Sequence, residues 1–372
     1  MIRILHTIDT TGPGGAETVF VNLIKGLDRQ KFEPVVAIRG PGWVYDELEK
    51  NGISPLFVNS KGAFNFNYLW ELIGIIRRHN IDIVQSHLLG SNLYCSLAGM
   101  ICGMPVISTF HGFVDIHTKE RFSTIKSKII NRGSARIVFV SDRLREFYVE
   151  QKGFSTRKSV TIYNGIDTSL FKPQRDDSIR KKLGLGPDNV LVGAVGNIRL
   201  SKGYEYLLEA AKLVVERYPQ FRFVVAGEGS GRLFDNLLDS RKRLGLENHF
   251  FFLGFEPDVP RFLNNLDIFV LPSISEGFSI STIESMACGV PVIVTLSGGP
   301  EEIVENELTG IVVPAGDYCA LSKAVIDSIE NNRNINNAIL ALQTCESKFS
   351  LKKMISNYNK LYQHFFERMH YE

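Results

Sequence analysis

The chain has 372 residues, which is enough for two domains. Its composition, 44% hydrophobic and 22% charged, is ordinary for a soluble globular protein, and a formal net charge of +2 gives no reason to expect nucleic acid as a partner. The five cysteines are an odd number and form no Cys-x-x-Cys pair, so we expect reduced, mostly buried thiols.

Short β-rich runs alternate with helical patterns through the first half of the chain, which is typical of parallel α/β sheets. The predicted strands are residues 3–8, 33–38, 54–58, 81–86, 105–109, 136–140 and 160–163. The predicted helices are residues 16–27, 43–51, 68–79, 91–102 and 142–152. The first strand lacks the long apolar core of a signal peptide, and no run approaches the ~20 apolar residues of a membrane span, so we expect a cytoplasmic protein.

The alternation is interrupted at residues 164–180, where a Pro173-containing stretch is followed by a polar run, and we interpret this segment as an interdomain linker. A second alternation comes after it, with predicted strands at residues 190–195, 221–226, 250–253, 268–271, 292–295 and 310–313. We therefore predict two Rossmann-like domains with doubly wound parallel sheets, at residues 1–167 and 168–350, facing a cleft. Residues 351–372 are expected to form a helix that packs back on the first domain. Ligands of such sheets bind beyond the carboxyl ends of the strands.

Glu276 and Glu284 lie eight positions apart after the predicted strand 268–271. Glu276 falls in a Ser/Gly loop, and Glu284 falls on a helix that should begin near Ser279 or Ser281. The helix N-terminus between them presents unpaired N–H groups that favour an anion. Two carboxylates on either side of such an anion-binding site suit a diphosphate with hydroxyl-rich groups at both ends, as in a nucleotide-sugar. Either glutamate taken alone could equally be a capping or surface carboxylate.

Two cations and one glycine-containing turn come after other strands of the second half. Arg199 and Lys202 stand in a loop after residues 190–195, where they could neutralise a diphosphate. A solvated basic loop is the alternative. Gly227 and Glu228 form a turn after the next strand, the glycine shaping the backbone and the glutamate being solvated or lining the same cleft.

The first half carries weaker signals. Gly14 and Gly15 belong to a glycine-rich loop that leads into a helix, which suits an anion but is also explained by a tight turn. His111 comes after the predicted strand 105–109, so it should stand at a strand end. His87 ends another strand, and we favour a structural role for it. Asn164 lies where the two halves meet.

The segment around Glu276 and Glu284 resembles the Glu-x7-Glu signature of the family 4 retaining glycosyltransferases, which have the two-domain GT-B fold. The residues in register are Pro272, Gly277, Phe278, Ala287, Cys288, Gly289, Pro291 and Val292. The Arg-x-x-Lys-Gly run at Arg199 and the Gly-Gly-Ala-Glu run at Gly14 are similar to further motifs of that family. The resemblance covers most of the chain and is strongest over residues 190–316.

The resemblance implies roles for the candidate residues. Glu284 would hold the ribose hydroxyls, Glu276 would hold the donor sugar, and His111 would contact the transferring sugar. Arg199 and Lys202 would stabilise the departing diphosphate. Other expected donor contacts are Gly14, Gly15, Gly277, Phe278, Ser279 and Ile280, with Gly227, Glu228 and Asn164 as possible cleft residues. Ser279 stands where the family commonly has glycine, so the sugar's identity is not carried over.

No Asp-x-Asp motif and no cluster with metal-ligand spacing occurs in the sequence. We therefore expect no metal and no other cofactor, with cationic side chains and helix dipoles serving the diphosphate. The dinucleotide fingerprint is also missing, which disfavours a dehydrogenase.

A basic stretch at residues 119–132 carries five cations against Glu120 alone, and Phe122, Ile125 and Ile129 recur at helical spacing. This pattern predicts either an ordinary surface helix with its apolar side on the core, or a helix that docks on anionic lipid.

The sequence thus predicts a retaining, metal-independent glycosyltransferase that moves a sugar from a nucleotide-sugar, expected to be UDP-linked, to a glycan or lipid-linked acceptor in surface polysaccharide assembly. It would be cytoplasmic, with possible peripheral contact to the inner face of the cell membrane. A nucleotide-sugar epimerase and a catalytically silent nucleotide-sugar-binding protein are the alternatives.

Overall fold

A computed structural model describes residues 1–60, 65–113, 122–330 and 334–371. The chain forms two compact units. Unit 1 comprises Met1–Gly165 together with Leu351–Glu372, and unit 2 comprises Ile166–Ser350.

Unit 1 is built on a seven-stranded parallel sheet with the strand order β3-β2-β1-β4-β5-β6-β7. Its strands are β1 (Ile2–Ile8), β2 (Phe32–Ile38), β3 (Leu56–Phe57), β4 (Ile83–His87), β5 (Val106–Phe110), β6 (Arg136–Phe139) and β7 (Ser159–Thr161). Its helices are α1 (Gly15–Lys25), α2 (Trp43–Glu49), α3 (Phe66–Arg78), α4 (Leu89–Cys102), α5 (Ser123–Gly133), α6 (Asp142–Lys152) and, at the C-terminus, α15 (Leu351–Tyr371).

Helices cover both faces of this sheet, as the nearly continuous burial of β4 and β5 requires. One apolar cluster joins the sheet to α3 and α4, and a second joins it to α1 and α2. Helix α15 packs against α1 and β4 and buries Tyr358 and Tyr362. The strand order reverses between β1 and β4, so the loops after these two strands diverge and leave room for a ligand.

Unit 2 is built on a six-stranded parallel sheet with the order β10-β9-β8-β11-β12-β13. Its strands are β8 (Val190–Val195), β9 (Phe221–Ala226), β10 (Phe250–Gly254), β11 (Ile268–Leu271), β12 (Val292–Leu296) and β13 (Ile311–Pro314). Its helices are α7 (Ser178–Lys182), α8 (Tyr204–Arg217), α9 (Gly231–Arg243), α10 (Val259–Leu263), α11 (Ile280–Ala287), α12 (Pro300–Ile303), α13 (Tyr318–Glu330) and α14 (Asn334–Lys348). The order reverses between β8 and β11.

These two parallel-sheet units confirm the predicted fold class. The short strand β3 differs most from its prediction, because only Leu56 and Phe57 pair with β2 at the edge of the sheet. Pro55 precedes them and has no N–H to donate to a ladder.

The passage from unit 1 to unit 2 falls at the start of residues 164–180, the segment that we interpreted as the interdomain linker. Unit 2 begins at Ile166 and therefore contains nearly all of it. Ile179 is buried, and the Arg180 guanidinium pairs with the Asp267 carboxylate that also accepts the Leu191 N–H. The end of the segment therefore packs on unit 2, whereas Lys172, Gln174 and Arg175 before it are exposed.

Within the described ranges, none of the helices combines the length and the apolar character that crossing a membrane requires.

Candidate active site

The candidate site of unit 2 lies at the carboxyl ends of β8 and β11, where the strand order reverses. The loop after β8 carries Arg199 and Lys202, and the loop after β11 carries Glu276. The two strands are hydrogen-bonded neighbours, so residues 74 positions apart in sequence become adjacent.

The loop after β8 turns sharply before helix α8. Leu200–Lys202 form a single 3₁₀ turn, and Gly203 comes next with φ +64°. A Cβ at Gly203 would lie 2.2 Å from the Pro272 carbonyl oxygen, so only glycine allows the backbone of this turn to approach the loop after β11. The Ser201 carbonyl accepts the Ile274 N–H at 2.8 Å, which ties the two loops together.

Lys202 and Glu276 form an ion pair across these loops. The Lys202 ammonium lies 2.6 Å from Glu276 Oε2, and the two side chains are 21% and 17% exposed. The Ser273 hydroxyl donates to the same carboxylate at 3.3 Å, and the Glu276 N–H donates to the Ser297 carbonyl at 2.9 Å. Arg199, by contrast, is exposed. The loop therefore presents one cation fixed by a partner and one at the surface.

Helix α11 begins at Ile280, as the sequence predicted, with Ser279 as its N-cap. Ser279 is buried, and its hydroxyl oxygen accepts hydrogen bonds from the Thr282 N–H at 3.3 Å and from the Thr282 hydroxyl at 2.8 Å. Ser279, which we predicted to contact the nucleotide-sugar, therefore already stabilises the start of the helix.

The loop residues Gly277 and Phe278 have structural tasks of their own. A Cβ at Gly299 would lie 2.4 Å from the Gly277 carbonyl oxygen, so the loops after β11 and β12 touch through their backbones. Phe278 is buried edge-on against Phe349, with ring centroids 5.9 Å apart. These contacts hold the segment in place, and donor binding by Gly277 and Phe278 stays a prediction.

Glu284 lies on the second turn of α11 and is buried. Burial raises the pKa of its carboxyl to about 8. No hydrogen bond from the described residues contributes to this shift. A buried, unpaired carboxyl is costly in a folded protein, and such groups concentrate at functional sites.

The turn after β9 shapes the same edge of the sheet. A Cβ at Gly227 would lie 2.0 Å from the Gly196 carbonyl oxygen, and the Glu228 carbonyl accepts the Ile198 N–H at 2.7 Å. The Glu228 side chain is exposed. Both residues therefore position the loop that carries Arg199.

The candidates of unit 1 gather at its own switch point, where β1 and β4 end. Helix α1 starts at Gly15, and no side chain caps it. A Cβ at Gly14 would lie 2.4 Å from Glu17 Oε2, the far end of a flexible side chain. Gly14 and Gly15 belong to unit 1, whereas Glu276 and Glu284 belong to unit 2, and donor binding by the glycines stays a prediction.

His111 is half-buried after β5 and hydrogen-bonds His87 at the end of β4. His87 Nδ1 and His111 Nε2 are 2.9 Å apart. Burial, followed by the charges of His111 and His6, holds the pKa of His87 well below its usual range. Burial lowers the pKa of His111 to about 3. Both rings are therefore neutral at ordinary pH.

Three residues of this region escaped the sequence analysis. Gln85 on β4 and Tyr362 on α15 extend the hydrogen-bonded chain beyond His87. Asp9, just after β1, accepts the Ser91 N–H at 3.2 Å near the start of α4, and burial raises its pKa to about 6. The three consecutive polar residues at the end of β4, Gln85, Ser86 and His87, were an available signal, whereas nothing local pointed to Tyr362.

Asn164 is buried at the end of unit 1. Its Oδ1 finds no hydrogen-bond partner in the part of the chain that the structure describes. A role for this residue at the meeting point of the two halves stays a prediction.

Among the described residues, no three His, Cys, Asp or Glu side chains are grouped so that they could hold a metal ion.

Comparison with known proteins shows which family the chain resembles. A family model described as "Glycosyltransferase Family 4" matches residues 13–170, and one described as "Glycosyl transferases group 1" matches residues 175–341. The putative glycosyltransferase EpsD of Bacillus subtilis is 30% identical over 68% of this chain and 69% of its own length.

Two further similarities extend over nearly the whole chain. An Escherichia coli protein named UDP-Gal:alpha-D-GlcNAc-diphosphoundecaprenol alpha-1,3-galactosyltransferase is 24% identical over 97% of this chain and 96% of its own. The crystal structure of Anabaena Alr3699/HepE with UDP and glucose superposes with a TM-score of 0.88 at 22% identity, over 98% of this chain and 100% of that one. The second likeness shows the shared fold, which is GT-B. The chain therefore belongs to the group 1 glycosyltransferases, with a first half of the family 4 type.

Proposed function

We propose that this glycosyltransferase is a retaining enzyme that needs no metal ion and takes its sugar from a UDP-linked donor bound by unit 2. The observation that carries the proposal is the Lys202–Glu276 ion pair at the switch point of the second sheet. A cation held at 2.6 Å from a carboxylate, beside Arg199 and the start of α11, is a place where both a diphosphate and sugar hydroxyls can be bound.

The four charged candidate residues of unit 2 have assigned roles in this proposal. Lys202 and Arg199 bind the diphosphate and stabilise the negative charge that grows on it as it departs. Glu276 accepts hydrogen bonds from hydroxyls of the donor sugar. Glu284 binds the ribose hydroxyls, which would supply its buried carboxyl with the partners that the described residues do not.

Retention follows from the family resemblance and from a front-side attack. The bond between the sugar's anomeric carbon and the diphosphate oxygen breaks, and the electron pair leaves with the diphosphate. The acceptor hydroxyl attacks the oxocarbenium-like carbon from the same side, and its proton passes to the departing phosphate oxygen. We assign no protein nucleophile, and His111 contacts the transferring sugar without serving as general base.

The acceptor is proposed to be a glycan or a lipid-linked glycan of surface polysaccharide assembly. The Escherichia coli relative is named for an acceptor that carries diphosphoundecaprenol, and the Anabaena structure is titled as a complex with UDP. These names support a UDP donor and a lipid-linked acceptor here. The proposed place of action is the cytoplasmic face of the membrane.

Helix α5 suits a membrane-contact role. Lys119, Glu120 and Arg121 lie outside the described residues, but the structure shows Phe122 and Ile125 to be 53% and 54% exposed. The helix carries Lys126, Lys128 and Arg132 and no acidic residue, and its buried contacts are made by Ser127 and Ile130. Exposed apolar groups beside cations match an anionic lipid surface.

The membrane proposal is tested by sedimentation with vesicles that contain phosphatidylglycerol. The double variant Lys126→Glu/Lys128→Glu should lose binding, because its charge now repels the lipid. The matched control Lys352→Glu/Lys353→Glu makes the same charge change at exposed positions of α15 and should still bind. Equal binding by both variants would remove the membrane role.

The donor proposal is tested with a panel of nucleotide-sugars and free nucleoside diphosphates. A ligand at about 100 times its Kd stabilises the folded protein by about 2.7 kcal/mol, which a thermal melt detects. Lys202→Met should abolish the response to UDP and to a UDP-sugar. Lys212→Met is the matched control, because Lys212 also pairs with a carboxylate, Glu216 at 3.1 Å, but lies on the surface of α8.

Turnover separates the remaining alternatives. Transfer or slow hydrolysis of a UDP-sugar with retained anomeric configuration, read by NMR, supports the proposal. Interconversion of the sugar without hydrolysis would indicate an epimerase, and stabilisation without any turnover would indicate a silent binding protein. A response to no nucleotide-sugar would overturn the donor assignment, and strong inhibition by a chelator would overturn metal independence.

A further inference from the structure

A chain of hydrogen-bonded side chains runs through unit 1 from α15 to His111. The Tyr362 hydroxyl is 3.1 Å from Gln85 Oε1, and Gln85 Nε2 is 3.2 Å from His87 Nε2. His87 Nδ1 is 2.9 Å from His111 Nε2. Tyr362, Gln85 and His87 are fully buried, so water does not compete for these contacts.

The amide of Gln85 gives the chain a direction. Its Nε2 lies 3.3 Å from the Ser86 carbonyl oxygen, which can only accept, and 2.9 Å from Thr109 Oγ1. The amide nitrogen must therefore face this side, and Oε1 faces Tyr362, whose hydroxyl donates to it.

The amide nitrogen in turn selects the tautomer of His87. An amide NH₂ group only donates, so a hydrogen on His87 Nε2 would be directed at another hydrogen. His87 Nε2 is consequently the accepting nitrogen. Because the ring is buried and neutral, its single hydrogen lies on Nδ1.

The direction then passes to His111. His87 Nδ1–H donates to His111 Nε2, and the two rings are nearly coplanar, with an interplanar angle of 22° and centroids 5.1 Å apart. This is the arrangement of two imidazoles joined edge to edge by an N–H···N bond. A neutral His111 whose Nε2 accepts must carry its hydrogen on Nδ1.

We propose that Gln85 and His87 are positioning residues that hold His111 in the Nδ1–H tautomer, so that Nδ1 is the nitrogen through which His111 can donate a hydrogen bond and its Nε2 lone pair is already used. This inference deepens the proposed function, on which it rests for the role of His111. The tautomer itself is a property of unit 1 and can be measured without any substrate.

The direct test is a long-range ¹H–¹⁵N correlation spectrum of the full chain labelled with ¹⁵N-histidine. The protein has eight histidines, and the His111 signals are those missing from His111→Gln. We expect the cross-peak pattern of an Nδ1–H imidazole for His111, against the usual preference of free histidine for Nε2–H. An Nε2–H pattern in the wild-type protein overturns the proposal, whatever the variants do.

A matched pair of variants at His87 tests the cause. In His87→Asn the amide NH₂ group can take the place of His87 Nδ1–H and still donate to His111, so His111 should keep its Nδ1–H pattern. In His87→Asp the carboxylate can only accept, so a hydrogen should appear on His111 Nε2. If the two variants give the same His111 pattern, His87 does not set the tautomer.

Kinetics link the tautomer to the reaction. We expect His87→Asp to lower kcat for sugar transfer about tenfold or more with little change in the donor KM, and His87→Asn to restore most of the loss. His364→Leu removes a histidine that is exposed on α15 and should leave kcat and the His111 signals unchanged. If His111 shows the Nδ1–H pattern but His111→Gln does not change the kinetics, the role of His111 in the reaction is refuted and the tautomer assignment stands.

Discussion

His6 offers a quantitative test of the electrostatics of unit 1. It is fully buried on β1, edge-on to Phe20 and Tyr362. Neither ring nitrogen has a hydrogen-bond partner among the residues that the structure describes. Each unsatisfied buried group costs about 1–3 kcal/mol, so His6→Leu, which has a similar volume, should raise the free energy of unfolding at pH 7 by about that amount.

The pH dependence follows from the pKa of His6. Burial, followed by the charge of Arg29, lowers it from 6.5 to about 3 in the folded chain. Between these values the unfolded chain binds a proton that the folded chain does not, so stability falls as the pH falls below 6.5. At pH 5 the difference of 1.5 units corresponds to about 2 kcal/mol, and this share should vanish in His6→Leu.

Tryptophan fluorescence is a suitable assay, because Trp43 and Trp70 are the only tryptophans and both belong to unit 1. Urea unfolding is followed at pH 7 and pH 5 for the wild-type chain and the variant. His87 and His111, whose pKa values are also lowered, likewise reduce the free energy of unfolding at low pH. The quantity of interest is therefore the difference between wild type and His6→Leu.

Wild type should lose about 2 kcal/mol more than His6→Leu between pH 7 and pH 5. His364→Leu is the control, because His364 is exposed on α15 and its removal should leave the pH dependence unchanged. Equal pH dependence of His6→Leu and wild type would refute the reasoning, since it would mean that His6 is solvated or paired.

The raised pKa of Glu284 makes the wild-type chain lose stability as the pH rises from 4.5, where this carboxyl ionises in the unfolded chain, to about 8. Glu284→Gln should therefore raise the Tm of the ligand-free chain by an amount that grows over this range and is largest from pH 8 upward. It should also weaken UDP binding, and an equal or lower Tm at pH 8 would contradict this account. Gly299→Ala should destabilise unit 2 by about 1–3 kcal/mol through the clash with the Gly277 carbonyl oxygen, whereas Gly186→Ala, whose Cβ would meet its first atom only at 3.9 Å, should not, as thermal melts of both variants will tell. Sugar transfer should proceed at the same rate with and without a chelator if Lys202 and Arg199 serve the diphosphate, and a rate that depends on added Mg²⁺ would argue against them.

Much of the candidate site could be predicted because its signals are local. The helix start at Ile280, the loop position of Glu276 and the strand end before His111 all follow from hydrophobic runs, glycines and capping residues within a few positions of each other. The segment 164–180 shows the limit of this reasoning, because Asp176 and Arg180 gain their partners Asn265 and Asp267 only when the chain folds.

The sequence by itself determined which residue types stand at the strand ends, since a parallel α/β alternation and its turns are encoded over short stretches. Only the tertiary structure decided which of these residues meet. Lys202 pairs with Glu276 because β8 lies next to β11, and Tyr362 reaches Gln85 because α15 packs on β4. Strand order and helix docking depend on burial across the whole unit, and no local pattern contains them. The task of His87 illustrates the difference, because a histidine that the sequence suggested was structural lies within hydrogen-bond distance of His111.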